Sequence, residues 1–128
     1  MPAWRWVGRA FAIAVHDEQI RVHGGGQGIR DSWLLESALA RAQNLAAYGE
    51  PDAADLAAAY AFGVARNHSF VDGNKRTALL VAETFLIDNG FHVFVDDPEL
   101  TVLFEDLAAG EIRESELADW FREHLSPA

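Results

Sequence analysis

The chain has 128 residues, 50% of them hydrophobic, which suits one domain that buries roughly two thirds of its unfolded surface. We therefore expect a single domain spanning residues 1–128. The absence of cysteine excludes disulfides, thiolate metal ligands and a cysteine nucleophile. A formal net charge of −10 repels a phosphate backbone, so nucleic acid is not expected as a direct partner.

Alternation around Trp4 and Trp6 permits one brief strand near the start of the chain. A helical period follows over residues 9–22, and the glycines at 24–26 end it. Asp31 then stands where the N-cap of a second helix belongs, and this helix is predicted to run to about residue 45.

Asp52 is predicted to cap a third helix whose C-terminal end carries Arg66 and His68. Its buried stripe, at steps of three and four residues, consists of Leu56, Ala59, Tyr60, Gly63 and Val64. The fourth helix, roughly 74–88, is apolar on nearly every side after its first turn, which is typical of a central helix surrounded by others.

Asn89 and Gly90 are predicted to stop the fourth helix with a left-handed residue, and a short strand is predicted over 91–95. Pro98 favours a helix start, so amphipathic helices are predicted around 100–109 and 115–125, with a break at Gly110. Helical periods dominate, and the strands are too short to build a sheet of their own. The sequence therefore predicts an all-α domain with at most minor short strands.

Acidic residues are concentrated near the end of the chain. Residues 96–123 hold ten of them against Arg113 and Arg122, a net charge of −8. This pattern is typical of a solvated helical surface, and it also suits a docking face for a basic partner segment. No window approaches the eighteen or so apolar residues of a membrane span, and the N-terminus lacks an apolar run of signal-peptide length, so we expect a cytoplasmic protein without membrane contact.

One segment combines a proton carrier, a carboxylate, an Asx-Gly turn and two cations just before an apolar run: His68-Ser69-Phe70-Val71-Asp72-Gly73-Asn74-Lys75-Arg76. Lys75 is the only lysine, and with Arg66 and Arg76 it places three of the ten basic residues within eleven positions. A helix that begins here points its unpaired N–H groups and its positive dipole end outward. The segment therefore predicts a phosphate site with its own base.

His68 is the predicted base, because an imidazole accepts protons near neutral pH. Gly73 lets a backbone approach an anion, and Asn74 either holds the turn by its amide or contacts phosphate. Lys75 and Arg76 neutralise charge. Arg66 is a third candidate for a phosphate contact, with a salt bridge as the alternative.

Asp72 is a candidate ligand for Mg²⁺, which takes one or two carboxylates and completes its shell with phosphate oxygens and water. The simpler interpretation is an Asx turn that starts the helix, and the two roles are compatible.

This segment resembles the signature of the Fic/Doc family, H-x-F-x-[DE]-G-N-[GK]-R, and its ending Lys75-Arg76-Thr77 is similar to the Doc (death-on-curing) branch, toxins of toxin–antitoxin modules. The resemblance includes residues 16–19, 24–31, 34–39 and 59–63, and so covers most of 10–95. Ser69 departs from the pattern, because many relatives have proline after the histidine.

The resemblance implies a compact bundle of about six helices around the buried helix at 74–88. It also implies transfer from Mg²⁺-ATP to a protein hydroxyl. Fic relatives have glycine at the position of Lys75, which leaves space for an α-phosphate and supports AMP transfer. Doc relatives bind ATP reversed and transfer the γ-phosphoryl group, so a serine/threonine kinase is favoured here, with elongation factor Tu as the implied substrate and a small antitoxin as partner. The alternatives are AMP transfer in spite of Lys75 and a catalytically silent binding module.

Overall fold

Helices account for most of the chain in the computed structural model, which describes residues 3–71, 73–94 and 96–127. These residues form, in chain order, α1 (Arg9–His23), α2 (Ser32–Tyr48), α3 (Ala53–Asn67), α4 (Asn74–Asp88), β1 (Phe91–Val93), α5 (Asp97–Ala109), α6 (Glu114–His124) and β2 (Leu125–Pro127). The predicted all-α class with about six helices is confirmed. Within the described ranges, none of the helices has the length and apolar character of a membrane span.

Aspartates begin three of the helices. The Asp31 side chain accepts from the Leu34 N–H at the start of α2. Asp52 begins α3 with a capping box, in which its own N–H donates to the third-residue carboxylate. Both predicted N-caps are confirmed. Asp96 caps α5, which starts about three residues earlier than predicted and holds Pro98 in its first turn.

The helix at the centre of the bundle is α3, where eleven of fifteen residues are buried, and it contacts α2, α4, α5 and α6. The expectation that the 74–88 helix is the central one is therefore wrong, although a bundle around a buried helix is present. Alanines and Gly63 let neighbours approach α3 from several sides. In α4, by contrast, Lys75, Arg76 and Ile87 remain exposed.

The predicted N-terminal strand is absent, since residues 3–8 have no regular secondary structure. Side chains from distant parts of the chain supply hydrogen-bond partners for this backbone instead. Asn89 accepts from the Arg5 N–H at 2.9 Å and donates to the Arg5 carbonyl at 3.0 Å, and the Val7 N–H donates to the Tyr60 hydroxyl. Trp4 and Trp6 pack against Phe85, with ring centroids about 6 Å apart, so they close the core.

The predicted strand at 91–95 is confirmed over 91–93, and Val95 lies outside the described residues. It pairs antiparallel with β2, Phe91 opposite Pro127. The sequence did not predict β2, because a three-residue strand held by its tertiary partner carries no period of its own. Gly90, at φ +90°, is the left-handed residue that ends α4.

Candidate active site

His68 caps the C-terminal end of α3, with its side chain exposed. Its backbone lies in the left-handed region, at φ 51° and ψ 49°. Among the described residues it is the one residue other than glycine with a positive φ. This conformation costs a β-carbon-bearing residue about 1–2 kcal/mol, so the surrounding structure has to hold it.

The loop before α2 holds the segment that follows His68. Ser69 is buried, and its carbonyl accepts from the Arg30 N–H at 2.8 Å and from the Asp31 N–H at 3.1 Å. The Val71 N–H donates to the Gly28 carbonyl at 3.1 Å. The turn after the histidine is thus fixed by the adjacent loop even though Ser69 replaces the proline of many relatives.

A guanidinium also caps the end of α3. Arg30 Nε donates to the His68 carbonyl at 2.7 Å, and Nη2 donates to the Asn67 carbonyl at 3.2 Å. These are carbonyls that a helix leaves without intrahelical partners at its C-terminus. The sequence does not predict this role of Arg30, because nothing in the local pattern brings residue 30 next to residue 68.

One residue of this loop belongs to a buried aromatic pair. Phe70 is 1% exposed and stacks on the buried His16 ring, with centroids 3.8 Å apart and planes at 7°. Gly73 lies above the same imidazole at φ +76°, and a β-carbon there would come within 3.2 Å of Ile20 Cδ1. The left-handed backbone conformation therefore favours glycine at this position, and a β-carbon would also press on the Ile20 side chain.

Asn74 uses its side-chain amide to close the loop. Its Oδ1 accepts from the Phe70 N–H at 3.1 Å, and its Nδ2 donates to the Phe70 carbonyl at 3.0 Å. Of the two roles expected for this side chain, the geometry supports holding the turn. The α4 N-cap is Gly73, which has no side chain to accept hydrogen bonds from the first turn of the helix.

A groove of about 630 Å³ lies between this loop and α5. The loop and α4 line it with His68, Gly73, Asn74, Lys75, Arg76 and Leu79. Helix α5 contributes the apolar Leu100 and Phe104 and the acidic Glu105. Lys75 and Arg76 are exposed, and no ion-pair partner for either is found in the described part of the chain. The groove thus combines an imidazole, two cations and a helix N-terminus, which suits an anionic ligand next to a proton acceptor.

One predicted site residue, Arg66, is not among those brought together here. The Arg66 guanidinium lies over the Phe62 ring, 5.6 Å from its centroid, and next to Gly110, and it does not line the groove. Asp72 lies outside the described residues. Among the residues that are described, no group of three His, Asp or Glu side chains is placed to hold a metal ion.

Comparison with known proteins gives the same assignment as the motif. The Fic/DOC family profile matches residues 6–86. The chain is 44% identical over 111 residues to Protein kinase doc of Escherichia phage P1, covering 86% of this chain and 87% of that protein. It is 47% identical over 76 residues to Toxin Doc of Mycolicibacterium smegmatis, covering 57% and 58% respectively. The chain therefore belongs to the Fic/DOC family.

Proposed function

We propose that this protein is a Doc-like toxin and a protein kinase that transfers the γ-phosphoryl group of ATP to a serine or threonine hydroxyl of a translation factor. The observation that carries the proposal is that His68, Lys75, Arg76 and the first turn of α4 line one groove. The names of the two relatives, Protein kinase doc and Toxin Doc, support it. Elongation factor Tu is the substrate that the family resemblance favours.

The proposed step needs an acceptor for one proton and charge neutralisation for one phosphate. The target hydroxyl oxygen attacks the γ-phosphorus while an imidazole nitrogen of His68 takes the hydroxyl proton. The bond between the γ-phosphorus and the β–γ bridging oxygen breaks, and ADP leaves. Lys75, Arg76 and the N–H groups at the start of α4 stabilise the charge on the phosphate oxygens, which is the main catalytic contribution in phosphoryl transfer.

Magnesium enters the proposal through Asp72. We propose that the Asp72 carboxylate would hold a Mg²⁺ ion bound together with the nucleotide, since Mg²⁺ takes one or two carboxylates and completes its shell with phosphate oxygens and water. When bound, the ion neutralises phosphate charge.

Lys75 is the reason to prefer phosphoryl transfer to AMP transfer. It is exposed and lines the groove next to the backbone N–H groups at the start of α4, termed the phosphate cradle. In the family, glycine at this position leaves room for an α-phosphate. The lysine therefore disfavours that arrangement and supports transfer of the γ-phosphoryl group.

The toxin assignment also implies a partner. We propose that a cognate antitoxin neutralises this protein in the cytoplasm, as the relative named Toxin Doc suggests. Because the chain has a net charge of −10, a basic antitoxin segment would complement its charge better than an acidic one.

The experiment is incubation of elongation factor Tu with the protein, Mg²⁺ and ATP labelled separately at the α and γ positions, followed by mass spectrometry of the product. We expect γ-label alone with the wild type and a rate of labelling lower by roughly 10²- to 10⁴-fold with His68→Ala. Lys75→Gly should weaken γ-transfer by opening the space beside the cradle. An α-label on the wild-type product would establish AMP transfer, and no label on elongation factor Tu or on any other translation factor would favour the silent binding module.

A further inference from the structure

We propose that Arg30 is a positioning residue for the reaction, one that fixes the His68 imidazole at the groove by binding the backbone on both sides of it. The inference rests on the proposed function, since it concerns the base of that reaction. Arg30 is not among the residues that line the groove, and its guanidinium is bound to carbonyls at the end of α3.

Arg30 donates to three consecutive carbonyls. Its Nη2 binds the Asn67 oxygen, its Nε binds the His68 oxygen at 2.7 Å, and its backbone N–H binds the Ser69 oxygen at 2.8 Å. One residue thus fixes the peptide groups after residues 67, 68 and 69. The peptide planes that these bonds hold are those that set φ and ψ of His68 and both dihedrals of Ser69.

His68, which these hydrogen bonds hold, has a strained backbone conformation. His68 adopts φ 51°, the left-handed region that a residue with a β-carbon avoids, so an unrestrained His68 returns to negative φ. Such a change swings the Cα–Cβ bond, and the imidazole leaves the groove wall that it shares with Lys75 and Arg76. Displacement of a catalytic group by about 1 Å is enough to cost about a hundredfold in rate.

The fork geometry distinguishes Arg30 from a simple positive charge. A guanidinium presents several N–H groups in one rigid plane and reaches two adjacent carbonyls at once, whereas a lysine ammonium is a compact point charge on a flexible stem. If Arg30 only attracted ATP, lysine would replace it and alanine would raise the KM for ATP. If Arg30 positions His68, kcat falls while the cradle and the KM for ATP stay intact.

The test compares Arg30→Ala and Arg30→Lys with Arg21→Ala, which removes the same charge from an exposed side chain that pairs with Glu18 on its own helix. We expect Arg30→Ala to lower kcat by about 10- to 100-fold with the KM for ATP within about twofold of wild type. Arg30→Lys should fall between wild type and alanine, and Arg21→Ala should match wild type. An unchanged kcat in Arg30→Ala, or a rise in KM that Arg30→Lys reverses, overturns the proposal.

A second measurement does not depend on turnover. Backbone NMR of the full chain without nucleotide reports φ of His68 through its Cα chemical shift and its HN–Hα coupling. We expect a left-handed His68 in wild type and Arg21→Ala, and a shift towards negative φ in Arg30→Ala. If His68 stays left-handed without Arg30, the proposal fails even where the kinase is active. If the conformational change occurs but wild type transfers no phosphoryl group, the proposed function fails and the Arg30–His68 coupling stands.

Discussion

The conformation of His68 links backbone strain to the chemistry proposed for the groove. A residue with φ 51° at the end of a helix is usually glycine, because glycine carries no β-carbon penalty there. A histidine at this position gives up about 1–2 kcal/mol of stability and places an imidazole at the groove wall. Stability and activity should therefore respond in opposite directions when this residue is replaced by glycine.

His68→Ala and His68→Gly should both lower kcat by roughly 10²- to 10⁴-fold, the usual contribution of a positioned general base. Their stabilities should differ, with the glycine variant about 1 kcal/mol more stable to urea than the alanine variant, since only alanine keeps the left-handed penalty. His23→Ala, at the exposed end of α1, is the control and should keep full activity. Activity within a few-fold of wild type in either His68 variant would remove the base assignment.

Asp72→Asn separates the two roles predicted for that residue. Asparagine keeps the turn-forming side chain but loses the charge, so a purely structural Asp72 predicts little change in turnover. A Mg²⁺ ligand predicts a large loss that excess Mg²⁺ partly restores, with thermal stability barely changed in either case. The measurement is kcat across a Mg²⁺ titration, and a fully active variant would leave only the structural role.

The sequence predicted which types of residue form the site better than it predicted the contacts that each side chain makes. The spacing of His68, Gly73 and Lys75 within one segment is local, so a motif is enough to find it. The side chain of Asn74 turns back to Phe70, and Arg66 lies over Phe62. These side-chain contacts depend on tertiary packing, as does the contact of Arg30 with the end of α3. A local sequence pattern does not predict such contacts.

The central helix α3 packs closely against α2 at Gly63. A β-carbon on Gly63 would lie 3.0 Å from the Ala38 carbonyl oxygen and 2.8 Å from Arg41 Cδ. The Arg41 side chain is flexible, but the Ala38 backbone belongs to a regular helix and cannot shift alone. Glycine here allows the two helices to pack closely.

Gly63→Ala tests this contact, because the substitution makes two opposing contributions to the free energy of unfolding. In an exposed helix the change would stabilise by about 1 kcal/mol through helix propensity. Overpacking a tight interface costs about 1–3 kcal/mol, so we expect a net loss of stability in urea denaturation. Gly49→Ala is the matched control, because its β-carbon meets only the Leu45 oxygen at an ordinary 3.4 Å, and it should be near neutral. Stabilisation by Gly63→Ala would contradict the close approach.

Elements with local signals were predicted, and elements made by tertiary partners were not. Asp31 and Asp52 cap helices by binding N–H groups three residues away, so their function is visible in sequence. The central position of α3 was missed because alanine carries a weak hydrophobic signal, although its small size is what permits close neighbours. The segment at 3–8 was missed because Asn89, more than eighty residues away, satisfies its backbone.

One arginine of the acidic C-terminal segment pairs with aspartates on two different helices. Arg122 of α6 binds Asp52 at 2.8 Å and Asp55 at 2.9 Å, both at the start of α3, and Asp119 on its own helix at 2.7 Å. All four side chains are partly exposed. The network attaches the acidic C-terminal helix to the central helix, and the hydrogen bond from Arg122 is the main cause that lowers the pKa of Asp52.

Arg122→Ala should therefore destabilise the protein in a pH-dependent way. Because the folded-state pKa of Asp52 lies below the ordinary value of about 3.9, the stabilisation is present above that pH and is lost as the pH falls through the folded-state pKa. Solvent screening limits its size to about 1 kcal/mol at pH 7. We expect the Tm of Arg122→Ala to lie below that of wild type at pH 7, and the difference to shrink in 1 M salt and to vanish in strong acid.

The matched control for this prediction is Arg21→Ala, which breaks an exposed ion pair within α1 and connects no two elements. It removes the same charge from a protein of net charge −10 and also breaks a surface ion pair, so it measures these two effects without a contact between helices. A pH-dependent Tm difference of equal size in both variants would assign the effect to net charge and the loss of a surface ion pair. A difference confined to Arg122→Ala would assign it to the contact between α6 and α3, because only that variant releases Asp52 from its guanidinium partner.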